Sequence, residues 1–129
     1  MASKANGSAG LAAAFILLAT TSAGAQSGDA NAGKIAFNNA CRTCHTLKPG
    51  DARLGPDLAS IIGRKAGTGQ GYNYSSAMKD AGVTWDEATL DRFIADPQAV
   101  VPNNNMKPFN GISSQQDRAN LIAFLKSGG

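Results

Sequence analysis

Both cysteines of the chain and its single histidine fall within five consecutive positions, Cys41-Arg42-Thr43-Cys44-His45. Four chemistries compete for that cluster. A Cys41–Cys44 disulfide has the redox C-x-x-C spacing, but such a motif opens a helix after a strand. Here a helical segment precedes it, and no strand pattern is visible. A closed structural zinc site takes four protein ligands, and two Cys plus one His would need a carboxylate to complete it. Two unmodified core thiols beside a surface histidine would be a liability in an oxidising compartment, which the N-terminus predicts. The fourth reading, C-x-x-C-H as the attachment signature of c-type haem, gives every residue a task. Thiols at i and i+3 project from one side of a helical turn and reach the two vinyl groups of one porphyrin. His45 follows directly and can turn its imidazole to the iron.

A single histidine leaves the second axial position to methionine, another weak protein ligand, water or nothing. Methionine there raises the potential and typifies electron transfer; an open position suggests gas binding or peroxidase chemistry. Two candidates remain beyond Met1. Met78 lies in YSSAMKDAG, a short helix-like stretch. Met106 lies in VVPNNNMKPFNGI, where Pro102, Asn103 to Asn105 and Pro108 exclude regular helix. Packing is the commonest use of either methionine. On placement Met106 is favoured, because a loop can swing a thioether over a cofactor face.

The elements that must position these residues are short. The chain has 129 residues, with 12 basic and 9 acidic. That is one small domain, and its charge balance and lack of a basic, aromatic-rich run argue against nucleic acid. Residues 1–25 read as a cleaved signal peptide: Lys4, an apolar run from Leu11 to Ala19, and Ala23-Gly24-Ala25 as a cleavage site. The run falls short of the roughly 20 residues that span a bilayer. The mature stretch 26–129 is expected to be all-α. Asp29 is placed to cap a helix through Ala40, with Gly33, Ala36 and Phe37 on one face. Asp57 to Gly63 reads as a turn and Ser75 to Asp80 as a short helix. A helix from Trp85 to about Ala95 is predicted to start at Thr84 with Glu87 completing a capping box, and to stop at Asp96-Pro97. The last helix follows Ser113 or Ser114 and ends near Ser127, before Gly128-Gly129.

With these elements in order, the chain resembles the class I cytochromes c, close to the mitochondrial protein and its soluble bacterial relatives. The motifs that carry the likeness are CRTCH (41–45), LGPDL (54–58), GRKAG (63–67), YNYSSAMK (72–79), TWDEATLDRFIADP (84–97), NNNMKPFNGI (103–112) and NLIAFL (120–125). The resemblance implies three main helices plus short helical turns and loops around one haem c, covalently bound through Cys41 and Cys44. It implies His45 and Met106 as the iron ligands and Pro56 as the carbonyl that orients His45. Arg64, Tyr74 and Trp85 would hold the haem propionates, and Gly33 and Phe37 would meet Leu121 and Phe124. There are departures. Met78 and Phe93 replace polar residues of the mitochondrial form near the distal ligand. Lys107-Pro108-Phe109 replaces a shorter segment. Gln98, Ala99 and Asn105 stand where lysines ring the haem edge.

The implied function is that of a soluble periplasmic electron carrier, not an enzyme. It would be a monomer that docks transiently on a reductase and on an oxidase or reaction centre of a respiratory or photosynthetic chain. It would meet the membrane only through those partners. The alternatives are a haem peroxidase or gas-binding protein with an open distal site, and a dedicated subunit of a larger redox enzyme.

Overall fold

The computed structural model describes residues 1–12, 16 and 27–129. Most of the predicted signal's apolar run, and all of its cleavage site, lie outside the described residues. Among the described residues no helix is long and apolar enough to cross a membrane.

Among the described residues five helices follow one another: α1 (Ala30–Ala40), α2 (Ser76–Lys79), α3 (Glu87–Ala95), α4 (Pro97–Val100) and α5 (Gln115–Ser127). Each start has a local cause. The Asp29 carboxylate accepts the N–H groups of Asn31 at 2.7 Å and Ala32 at 3.0 Å, satisfying donors that a first turn leaves unpaired. Ser75 caps α2 through the Met78 N–H, and Ser114 caps α5 through the Asp117 N–H. Gly128 ends α5 in the left-handed region at φ 85°.

Two boundaries differ from the sequence expectation. α3 begins at Glu87, not at Trp85, and its N-cap is Asp86, whose carboxylate accepts the Thr89 N–H at 2.7 Å. Thr84 is withheld from the helix because it pairs with Lys65 in an isolated antiparallel bridge. Trp85 is held as well: its N–H donates to the Arg64 carbonyl at 2.8 Å and its carbonyl accepts the Gly63 N–H at 2.7 Å. Backbone groups spent on that bridge cannot also serve a helix. The second difference is α4. Asp96-Pro97 does stop α3, but the Asp96 carboxylate then accepts the N–H groups of Gln98 and Ala99, and Pro97 fills the first helical position. A proline there needs no N–H partner, so one residue pair ends a helix and starts another.

α5 packs against both α1 and α3. Its contact with α1 turns on Gly33, where an added Cβ would overlap the Asn120 carbonyl and lie 2.8 Å from the Phe124 Cβ. The missing side chain lets the two backbones approach, and the Phe37 and Phe124 rings then meet with centroids 5.5 Å apart. Asn120 is buried at this seam, and its Oδ1 accepts the Asp29 N–H at 2.9 Å. On the other side Arg118 joins α5 to α3 through Asp91 at 2.7 Å, and also donates to the Ile112 and Ser113 carbonyls at 2.9 Å. The Lys126–Glu87 pair is exposed on both sides and contributes little.

Two expectations follow from these contacts. Gly33→Ala forces α1 off α5 and costs about 3 kcal/mol, the upper end of overpacking penalties, read as a lowered denaturant midpoint. Hydrogen bonds from Thr89 hold the Asp86 carboxyl below the usual aspartate range. A depressed carboxylate stabilises the fold above its unfolded pKa, and that contribution is lost as pH falls through the folded value. Asp86→Asn keeps a capping oxygen but removes the charge-linked part, so it lowers neutral stability slightly and flattens the loss of stability below about pH 4, measured by denaturant unfolding across that range.

Candidate cofactor site

The end of α1 delivers the reactive cluster. Cys41 is its C-cap, and the chain turns there: the N–H groups of Cys44 at 3.1 Å and His45 at 2.9 Å both donate to the Cys41 carbonyl. One turn of backbone thus carries both thiols and the imidazole. Both cysteines are free thiols. Burial, and then the neighbouring Cys44, push the Cys41 thiol up to about 11, so it is protonated at neutral pH.

His45 is buried. Its Nδ1 lies 2.7 Å from the Pro56 carbonyl oxygen. A carbonyl can only accept, so Nδ1 carries the proton and Nε2 keeps its lone pair. Burial pushes the imidazole pKa down, with the Pro56 hydrogen bond acting against it. A neutral ring with a fixed tautomer is the form that ligates metals. Gly55 makes the arrangement possible. A Cβ there would stand 2.5 Å from Cε1 and 2.8 Å from Nδ1 of the ring.

These groups line a cavity of about 640 Å³, within the range of cofactor and ligand pockets. Cys41, Cys44, His45 and Pro56 all border it, and so do Arg64, Tyr74, Trp85 and Met106. The structure therefore gathers every candidate residue around one space. Its apolar wall comes from core residues of α3 and α5, among them Leu90, Phe93 and Leu121. Met78 and Phe93, the two departures from the mitochondrial pattern, also face this space, and the Phe93 ring packs on Trp85 with centroids 4.8 Å apart.

The polar groups of the cavity fit a cofactor that carries anions. The Tyr74 hydroxyl accepts the Gly69 N–H at 3.2 Å, but its own O–H meets no acceptor among the described residues. The Trp85 ring N–H and the Arg64 Nε and Nη2 likewise meet none. Donors gathered round an apolar space without protein acceptors suit the carboxylates of a haem, and the two free thiols beside a neutral imidazole suit its attachment and iron.

Asn104 is a residue that sequence reasoning missed, having taken it only as part of a loop-forming asparagine run. It is almost completely buried, at 1% exposure. Its side-chain amide donates to the Val101 carbonyl at 2.9 Å, and its Oδ1 accepts the Met106 N–H at 2.8 Å. The far end of the same loop is held on α3 by the Ile112 N–H to the Ile94 carbonyl at 2.9 Å. A buried, doubly bonded asparagine has no signature in sequence; only its position two residues before Met106, suited to a side-chain turn, hints at it.

The sequence model of the cytochrome c family matches residues 30–129. Cytochrome c2 of Rhodomicrobium vannielii is 48% identical over 102 residues, covering 76% of this chain and 78% of its own. Cytochrome c-554 of Methylosinus trichosporium is 40% identical over 120 residues, covering 92% and 89%. Among solved structures, cytochrome cH from Methylobacterium extorquens superposes with a TM-score of 0.72 at 42% identity, over 78% of this chain and 99% of that one.

Asn104→Ala removes the acceptor of the Met106 N–H and the donor to Val101. It is expected to cost about 1–3 kcal/mol in chemical denaturation, while Ala replacement of the exposed Asn105 stays within about 0.5 kcal/mol.

Proposed function

The chain belongs to the cytochrome c family, and from that membership we propose that it shuttles single electrons with its iron held between His45 and Met106. As a member it takes covalent haem c, for which Cys41 and Cys44 have the required spacing, and it is an electron carrier that works with redox partners, not an enzyme. When bound, the haem iron supplies the one-electron chemistry.

The chain's own residues do the rest. Cys41 and Cys44 anchor the cofactor from the turn that ends α1. His45 offers the Nε2 lone pair, and Pro56 fixes the ring and strengthens it as a donor. Met106 offers a thioether from a loop tied down at Asn104. Arg64, Tyr74 and Trp85 hold the haem carboxylates. Phe93 and Met78 keep water from the distal side. A rigid pair of ligands lets the iron change charge with little rearrangement. The single observation that carries this reading is the 2.7 Å contact between His45 Nδ1 and Pro56, which leaves Nε2 unprotonated beside two free thiols.

The finer setting belongs to the same proposal. Residues 1–25 are removed as a signal peptide, and residues 26–129 form a soluble, monomeric domain in the periplasm. The family match beginning at residue 30, one position beyond the α1 cap, supports that division. The domain docks transiently on a reductase and on an oxidase or reaction centre of a respiratory or photosynthetic chain.

Absorption spectra test the ligand pair. Met106→Ala is expected to lose the Met-to-ferric-iron band and to bind carbon monoxide when reduced. Met78→Ala is expected to keep the band and to exclude carbon monoxide, and the unaltered protein is expected to do the same. The reverse pattern would move the ligand to Met78, and ready binding of carbon monoxide by the unaltered protein would mean an open distal site.

A further inference from the structure

Arg64 stands between two spaces. It borders the main cavity, and it also borders a second, more open cleft of about 350 Å³ shared with Gly50, Asp57, Ser60 and Thr68. Its guanidinium is used unevenly. Nη1 donates to the Ala59 carbonyl at 2.9 Å and the Asp57 carbonyl at 3.2 Å, and lies 3.4 Å from Asp57 Oδ1. Nε and Nη2 have no acceptor among the described residues. A Cβ on Gly69 would stand 2.7 Å from Nη2 and would overlap the Tyr74 hydroxyl, so that end of Arg64 lies beside Tyr74.

Asp57 is the more deeply buried partner, with its side chain 7% exposed against 22% for Arg64. Its Oδ1 accepts the Ala59 N–H at 3.1 Å and its Oδ2 the Gly50 N–H at 3.3 Å. The carboxylate therefore fixes the turn that carries two of the oxygens gripping Arg64. A buried charge persists only with such partners. None of the roles assigned to the cavity residues uses it.

We propose that Asp57 is a positioning residue for Arg64 and that, through Arg64, it lowers the reduction potential of the haem. The inference rests on the reading of Arg64 as a partner of the haem carboxylates. Asp57 holds Nη1 away from the cavity, so that only Nε and Nη2 are presented to it. It also offsets part of the guanidinium charge. Positive charge near the iron favours the reduced state, which carries one positive charge fewer, so a partly neutralised Arg64 raises the potential less than a free one would.

The test is a midpoint potential on the haem-loaded protein. Asp57→Asn keeps the side-chain shape and removes the charge. It is expected to raise the potential while leaving the absorption spectrum unchanged. Asp57→Ser, smaller and equally uncharged, should shift in the same direction and guards against a packing effect. Arg64→Gln should lower the potential. In the Arg64→Gln background, Asp57→Asn should lose more than half of its effect, because non-additivity marks residues that act through one another. An unmoved or lowered potential in Asp57→Asn overturns the inference. Equal shifts in both backgrounds also overturn it, since the carboxylate would then act on the iron without Arg64. If Arg64→Gln itself leaves the potential unchanged, the role given to Arg64 falls and takes the inference with it. A lowered potential in Arg64→Gln with no response at Asp57 removes the inference alone.

Discussion

A cavity of about 640 Å³ inside one small domain is the constraint that shapes everything else. The apolar faces of α3 and α5 cannot close on each other there, because Leu90, Phe93 and Leu121 border a space as well as one another. Part of the protein core is gathered at the α1–α5 seam. There Gly33 permits a backbone approach that no other residue allows, and Phe37 and Phe124 fill what lies beside it. That seam also fixes the direction in which α1 ends, and so where the Cys41–His45 turn points. A covalent cofactor serves such a domain twice, as reagent and as the apolar body that its short chain does not supply.

Polar groups follow from the same constraint. A haem brings two carboxylates into a mostly apolar space, and burying them without donors is costly. Arg64, Tyr74 and Trp85 present donors there because the segments that carry them are pinned elsewhere. The bridge between Lys65 and Thr84 holds Arg64 and Trp85 side by side in the backbone, and Gly69 lets Tyr74 come close to Arg64. The bridge that shortened α3 at its start is thus also what aligns two of the three donors. A local departure from helical propensity here serves the site.

Legibility in the sequence followed the range of each interaction. Asp29 caps its helix as its position predicts, and of the two serines offered for the last helix Ser114 is the cap, since a cap involves residues three apart or fewer. Thr84 was misjudged because its competitor for the backbone, Lys65, lies far away along the chain. Pro97 was read only as a stop, although a proline preceded by a capping aspartate is equally a start. Asn104 and Asp57 passed as turn residues, because nothing local distinguishes a buried polar side chain from an exposed one.

By itself the sequence determined the chemistry of attachment. Cys41, Cys44 and His45 occupy a single turn, whose geometry is set by neighbouring residues alone, and their types admit few partners besides a haem. It determined the order of α1, α2, α3 and α5 for the same reason, though not the short α4. The tertiary structure decided what surrounds that turn. It set the proton on His45 Nδ1 through Pro56, the free edge of Arg64 through Asp57, and the anchorage of Met106 through Asn104. Each of these depends on burial, or on a pairing that exists only once the loops between the helices have closed. Spacing along a chain encodes neither.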